Sequence, residues 1–113
     1  ADYVMIDPTW SGGISETRRI IDMSQAYNVP VTMHDCTGPL TLFSGLHCAT
    51  ASSNVVLQET VRAHIRTFYD RLIDRQPQIE SGFLLPPVDS GLGTALLPEL
   101  FRPSANRYRI TPS

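Results

Sequence analysis

Asp7, His34 and Glu59 each come directly after a short apolar run, and they stand 27 and 25 positions apart. A carboxylate that accepts a hydrogen bond from one imidazole nitrogen fixes the tautomer and raises the basicity of the other nitrogen. Asp7 is therefore predicted to orient His34, and His34 to act as a general base near neutral pH. Glu59, if burial beside another acid raises its pKa, is predicted to stay protonated and to donate a hydrogen bond to an oxygen that develops negative charge.

The apolar run before each of these residues predicts a buried strand, and the residues after it predict a helix. Ser15 is predicted to cap the first helix and Gly38-Pro39 to begin the second. The predicted strands are residues 2–6, 29–33 and 55–59. The apolar positions that fall at helical spacing in the first helix are Ile20, Met23 and Tyr27, with Ile14 and Ile21 alongside.

The strongest helical pattern runs from Thr60 to Pro77, with its apolar residues at helical spacing. Beyond Ser81 the chain contains several Pro and Gly residues, which predicts irregular coil with a short strand at 108–110. The apolar residues of the helical pattern are Val61, Ile65, Phe68, Tyr69 and Leu72.

Strands that alternate with helices imply parallel pairing, and hence an α/β fold. A (β/α)8 barrel and a doubly wound sheet both fit intervals of 25 to 27 residues, because a barrel repeats about every 31 residues and a doubly wound sheet uses similar units. In either fold the carboxyl ends of the strands form the edge at which ligands bind. One shared edge therefore explains all three ionisable residues together.

Each candidate residue also has a simpler structural explanation. Asp7 before Pro8 is also typical of a turn, His34 of a partly buried histidine bonded to backbone, and Glu59 of a favourable charge at a helix N-terminus. Trp10, in the first loop, is either a wall of the substrate site or an ordinary buried anchor.

Composition excludes several other classes of function. All nine basic residues are Arg and they are scattered, so a nucleic-acid partner is not expected, and the absence of Lys removes Schiff-base chemistry. Cys36 and Cys48 do not have the spacing of a zinc site, and we expect reduced, packed thiols in a cytoplasmic protein. No apolar run is long enough to span a membrane.

Three segments together carry a family resemblance. The run from Asp7 to Ile14 (DPTWSGGI) and the triplet Thr32-Met33-His34 ahead of Gly38-Pro39, followed by Asn54 through Glu59, resemble the last three strands of the barrel in the mandelate racemase/muconate lactonizing branch of the enolase superfamily. The resemblance covers nearly the whole chain. It implies the dyad aspartate for Asp7, the dyad histidine for His34 and the acid after the last strand for Glu59.

The resemblance implies a fold and a domain division. Residues 1–80 would be about the last three βα units of a (β/α)8 TIM-type barrel. Residues 81–113 would be an irregular C-terminal tail that packs on a capping domain absent from this chain. We expect the chain's first residues to be a cut edge, with the rest of the barrel supplied by another segment or by a longer protein, since an open barrel fragment is unstable in water.

The resemblance also implies an activity. The family removes a proton α to a carboxylate with the help of Mg²⁺, whose ligands are expected on the missing N-terminal part of the barrel, with none in this chain. The segment 34–39 (HDCTGP) is closer to acid-sugar dehydratases, so dehydration of an aldonate or aldarate is predicted, in a homo-oligomer. The 113-residue chain alone is expected to be inactive.

Three other interpretations stay open. The first is a racemase or epimerase of a 2-hydroxy acid, which begins with the same proton abstraction. The second is a noncatalytic barrel fragment. The third is a doubly wound binding domain, for which Gly12-Gly13 is too short a phosphate loop.

Overall fold

A three-stranded parallel sheet forms the centre of the chain in a computed structural model that describes residues 1–102. Its strands, β1 (Val4–Ile6), β2 (Val31–Met33) and β3 (Val55–Gln58), lie in the order β1-β2-β3. The predicted α/β class and the alternation of strands with helices are confirmed. The predicted strand at 108–110 lies outside the described residues.

Two helices connect the strands and cover one face of the sheet. They are α1 (Ile14–Ala26), between β1 and β2, and α2 (Pro39–Thr50), between β2 and β3. Apolar burial between this sheet face and the two helices is the main source of stability here. The buried cluster consists of Ile6, Val31 and Met33 from the sheet, Ile21 from α1 and Cys48 from α2.

The two predicted helix starts have different outcomes. Pro39 occupies the first turn of α2, as predicted, because its fixed φ suits that position. The prediction that Ser15 caps α1 is wrong, since that helix begins at Ile14 after Gly13 with no side-chain cap.

The opposite face of the sheet is not covered by residues 1–102. Met5, Thr32 and Leu57 are register partners, and the side chains of Met5 and Leu57 are 60% and 56% exposed. The register shifts between Val31 and Thr32, so that β3 contains one extra residue, Val56. This bulge brings Leu57 level with Thr32 on the uncovered face.

The third helix is shorter than predicted. α3 spans only Arg62–Thr67, and a 3-10 turn at Tyr69–Arg71 follows it. Phe68 leaves the helical region with φ −149° and ψ −9°, which allows Tyr69 to become fully buried. The prediction that this helix extends to Pro77 is therefore wrong, because tertiary packing overrides the periodic pattern. Tyr69 packs in a second core cluster with Leu42, Phe43 and Ile73.

The segment predicted as coil contains a small hairpin. Strands β4 (Ile79–Glu80) and β5 (Phe83–Leu84) pair antiparallel, and Ser81 and Gly82 between them both have positive φ. Such a two-residue turn matches the natural twist of a hairpin. The chain then returns to the second core cluster through Leu92 and Leu96, and a 3-10 helix follows at Pro98–Phe101.

Candidate functional site

The three strand ends lie side by side. The parallel ladder continues one residue beyond the strands: the His34 N–H donates to the Ile6 carbonyl at 2.9 Å, and the Glu59 N–H donates to the Met33 carbonyl at 2.8 Å. Because side chains alternate between faces, Asp7, His34 and Glu59 project toward the uncovered face, one level beyond Met5 and Leu57. We call these three residues the strand-end site.

Asp7 and His34 form a hydrogen-bonded pair. His34 Nδ1 lies 2.9 Å from Asp7 Oδ2, and the Asp7 carboxylate is buried. The Thr37 hydroxyl donates to the same oxygen at 2.8 Å, and the Thr9 N–H donates to Asp7 Oδ1 at 2.7 Å. The carboxylate is therefore held from several sides in one orientation.

Burial and hydrogen bonding act on Asp7 in opposite directions. Burial alone raises the pKa of Asp7, but hydrogen bonds from His34, Thr37 and the backbone N–H groups of Thr9 and Trp10 outweigh it and hold the pKa below its usual value. Asp7 is therefore ionised at neutral pH. An ionised carboxylate at Nδ1 favours the tautomer with its proton there, which leaves Nε2 of His34 as the basic nitrogen.

The Nε2 atom of His34 has two close neighbours in the site. It lies 3.8 Å from Glu59 Oε2 and 3.4 Å from Cys36 Sγ. Glu59 Oε2 also accepts a hydrogen bond from the Asp35 N–H at 3.0 Å. The Glu59 side chain is 41% exposed, so the described residues do not supply the burial from which its protonated state was predicted.

Trp10 borders the site from the first loop. Its indole ring lies 5.4 Å from the His34 imidazole with a 40° tilt, and the residue is 74% exposed. It is therefore not a buried anchor in this chain. An exposed aromatic surface beside a base is suited to contact a small molecule.

The loop between β2 and α2 contributes groups that the sequence did not single out. Asp35, Cys36 and Thr37 each contact a member of the strand-end site, and Cys36 is exposed rather than packed. The sequence did contain a signal for this loop, because Pro39 fixes the start of α2 shortly after β2 ends. The residues between β2 and Pro39 must therefore turn tightly over the end of the strand, and Gly38 has φ 150° there.

A metal site is not formed by the described part of the chain. Within residues 1–102 no group of three or more His, Cys, Asp or Glu side chains could hold a metal ion. Members of the enolase superfamily generally use Mg²⁺. The described residues therefore do not form a site for a bound Mg²⁺.

The fold and the site together define a class. A parallel α/β sheet whose strand ends present a carboxylate–imidazole pair and a second carboxylate is suited to general acid–base chemistry on a small molecule. The family described as "Enolase C-terminal domain-like" matches residues 1–100, and the chain belongs to that family. The resemblance seen in the sequence is thereby confirmed.

Curated relatives of this chain are enzymes that act on sugar acids. The chain is 29% identical over 100 residues to an arabinonate dehydratase of Saccharolobus solfataricus, with 88% of the chain and 26% of the relative covered. It is 33% identical over 95 residues to a D-galactonate dehydratase of Verminephrobacter eiseniae, with 80% and 25% covered. The chain thus spans about a quarter of the length of these relatives.

Solved structures show the same family. An enolase of the mandelate racemase subgroup from Agrobacterium tumefaciens superposes with a TM-score of 0.82 at 39% identity, over 88% of this chain and 27% of that one. An enolase protein from environmental sequencing of the Sargasso Sea superposes with a TM-score of 0.81 at 44% identity, over 88% of this chain and 26% of that one.

In residues 1–102 no helix is long and apolar enough to cross a membrane.

Proposed function

We propose that this chain is the catalytic C-terminal part of an enzyme that removes the proton α to a carboxylate, and that the complete protein dehydrates a sugar acid. The observation that carries the proposal is the position of His34, with Nδ1 on the Asp7 carboxylate and Nε2 open beside Glu59. The dehydratase relatives support sugar acids as the substrate class.

The proposed mechanism assigns a role to each residue, and His34 acts first as a base and then as an acid. His34 Nε2 takes the α-proton, while Asp7 stabilises the imidazolium that forms. Glu59 donates a hydrogen bond to the substrate oxygen on which negative charge develops, and Trp10 forms one wall of the site. The β-hydroxyl then leaves as water, with the imidazolium as the acid within reach.

The proposed setting is the last three βα units of a (β/α)8 barrel, with residues 81–113 packing on a capping domain. The uncovered sheet face supports the barrel, because Met5 and Leu57 would fill its interior. Exposed apolar side chains in the tail, such as Val88 and Phe101, support a further partner there. The Mg²⁺ ligands are assigned to the rest of the barrel. We also propose a cytoplasmic homo-oligomer.

The test is the His34→Asn variant of the complete protein, assayed with Mg²⁺ against a panel of aldonates and aldarates. We expect kcat to fall at least about 10²-fold, since a general base is removed. His47→Gln is a matched control: His47 Nε2 bonds only the Leu92 carbonyl at 3.1 Å, and glutamine keeps a donor there. Full turnover by His34→Asn would contradict the assignment of the base.

The same assay separates the other candidate functions. Loss of water from the substrate, seen by mass, indicates the dehydratase. Solvent deuterium at the α-carbon without loss of water indicates a racemase or epimerase. A folded complete protein that neither dehydrates nor exchanges any acid of the panel would show a noncatalytic barrel.

A further inference from the structure

A cluster of polar groups lies buried beside the strand-end site. Asp35 and Tyr69 are fully buried, and the His64 and Tyr69 rings lie 6.3 Å apart. Both Asp35 carboxylate oxygens, the Tyr69 hydroxyl and His64 Nδ1 are buried and have no hydrogen-bond partner of normal geometry. We call Asp35, His64 and Tyr69 the buried polar cluster.

The members of the buried polar cluster influence one another. Burial, and next the adjacent Asp35 carboxylate, raise the pKa of Tyr69. Burial raises the pKa of Asp35 to about 6, and the Val61 N–H and the His64 ring oppose the rise. The groups that face the Asp35 carboxylate as donors are therefore the Tyr69 hydroxyl and the Val61 N–H.

A buried carboxylate in this place is costly unless it has a role. Burying an ionisable group without full hydrogen bonding costs several kcal/mol, and an apolar residue would fill the same space without that cost. Asp35 nevertheless lies next to the predicted base in sequence, and its side chain is fully buried beside His64 of α3 and Tyr69 of the 3-10 turn.

The main chain of Asp35 faces the strand-end site. The Asp35 N–H donates to Glu59 Oε2 at 3.0 Å, and two residues later the Thr37 hydroxyl donates to Asp7 at 2.8 Å. Residues 34–37 thus contact both carboxylates and include the imidazole itself. The Asp35 side chain is the point at which this loop enters the protein interior.

We propose that Asp35 is a positioning residue: its carboxylate, buried beside Tyr69 and the Val61 N–H, anchors the 34–37 loop so that the Asp35 N–H holds Glu59 and Thr37 holds Asp7. This inference rests on the proposed function, because it assigns the loop to that chemistry. It adds a residue that does not touch the substrate. Tyr69, near 35 residues further along the chain, becomes part of the support of the site.

The test compares Asp35→Asn and Tyr69→Phe with the control Asp22→Asn in the complete protein. Asp22 is an exposed carboxylate on α1 whose closest cation, Arg18, lies 3.8 Å away. We expect Asp35→Asn to lower kcat about 10- to 100-fold with little change in KM, because a small displacement of reacting groups has effects of that size. Tyr69→Phe should lower kcat about threefold or more for the same reason.

The pH profile is the readout that a merely structural role would not change. Protonation of Asp35 removes the charge of its carboxylate, so the acid limb of log kcat against pH should be steeper in the native protein than in Asp35→Asn. Other titratable groups that face Asp35 are His64, Glu59 and Asp7, all retained in both proteins.

Two results would overturn the inference. One is a native kcat and acid limb in folded Asp35→Asn or, if that variant does not fold, a native kcat in Tyr69→Phe. The other is a loss of activity that matches the unfolded fraction alone. The variant His34→Asn, measured in parallel, distinguishes failure of this inference from failure of the proposed function. If His34→Asn is inactive while Asp35→Asn has native activity, only the role of Asp35 is wrong. If His34→Asn is active, the proposed function is wrong.

Discussion

Asp7 and Asp35 are two buried carboxylates on either side of one histidine, and their surroundings give them opposite properties. Asp7 receives hydrogen bonds from His34, Thr37 and backbone N–H groups, which hold its pKa below the usual value despite burial. The carboxylate oxygens of Asp35 have no hydrogen-bond partner of normal geometry, and burial raises the pKa of Asp35 to about 6. The first stays ionised beside the His34 imidazole, whereas the second changes its charge near pH 6.

This contrast predicts how stability depends on pH. The folded-state pKa of Asp35 is raised from 3.8 to about 6, so its contribution is fully present below pH 3.8 and is lost as the pH rises through 6. The free energy of unfolding of the native protein should therefore fall relative to Asp35→Asn between pH 4 and pH 7. A shift of this size corresponds to roughly 3 kcal/mol as an upper value.

The measurement is urea unfolding of both proteins at several pH values between 4 and 7.5. Asp7 acts in the opposite sense, since its lowered pKa makes its contribution fall only as the solution becomes more acidic than pH 3.8. Asp7 is present in both proteins and cancels in the difference. Parallel stability curves for the two proteins would show that Asp35 is not a raised acid.

Among the strands and helices, the register of β3 determines that Glu59 lies in the strand-end site. Val31 pairs with Val55, but Thr32 pairs with Leu57, because Val56 is an extra residue. Without this bulge, His34 would lie level with Gln58, and Glu59 would point to the helix-covered face. The bulge therefore brings Glu59 to the same side as His34.

The sequence predicted the elements better than their faces and ends. Alternating apolar runs located the three strands and the first two helices, since local pattern and capping chemistry are short-range signals. In α1, however, Met23 and Tyr27 are exposed, and the buried face carries Thr17 and Ile21 instead. The reason is that the Thr17 hydroxyl finds partners within the fold, which apolar spacing cannot indicate.

The sequence likewise predicted only part of the site. Asp7, His34 and Glu59 could be named because each follows an apolar run. Asp35 and Tyr69 could not be paired from the sequence, because their contact depends on the break of the third helix at Phe68. The bulge at Val56 had no local signal either, since Val55-Val56-Leu57 is uniform strand sequence.

Two glycines of the tail provide a test of how closely this segment is packed. Gly93 and Gly91 both have positive φ, 79° and 70°. A Cβ at Gly93 would collide with the Pro87 side chain, whereas a Cβ at Gly91 meets nothing within 4 Å. We expect Gly91→Ala to cost about 1 kcal/mol for the backbone conformation alone, and Gly93→Ala about 1–3 kcal/mol more for the collision.

Urea unfolding of the two variants of the complete protein gives the comparison. Because both substitutions add one methyl group at a positive φ, their difference isolates the contact with Pro87. Equal destabilisation would mean that the tail does not pack as described. Faster proteolysis within the tail of Gly93→Ala would locate the effect there, since local opening exposes the segment.

The uncovered sheet face and the strand-end site lie on the same side of the sheet. The helices cover only the face with Ile6 and Met33, while Met5 and Leu57 lie directly beneath the level of His34 and Glu59. Whatever covers Met5 and Leu57 in the complete protein therefore also surrounds the site. In the proposed barrel, closure of the sheet and exclusion of water from His34 are therefore one requirement.

The three methionines of the chain can test this closure. Met33 is fully buried in the helix-covered face, Met23 is 66% exposed on α1, and Met5 is 60% exposed on the uncovered face. Oxidation of methionine to the sulfoxide depends on access of the oxidant to the sulfur. If the rest of a barrel covers the sheet, Met5 in the complete protein should react with hydrogen peroxide as slowly as Met33.

The rates are measured by mass spectrometry of peptides and divided by the rate of the same residue in urea-unfolded protein. This ratio removes differences in intrinsic reactivity, so Met33 defines full protection and Met23 reports on the outer surface of α1. A Met5 ratio near one would mean that the sheet face stays open to solvent. His34 would then work in water rather than in an enclosed site, and the barrel proposal would fail, whereas a ratio equal to that of Met33 requires a cover over the base.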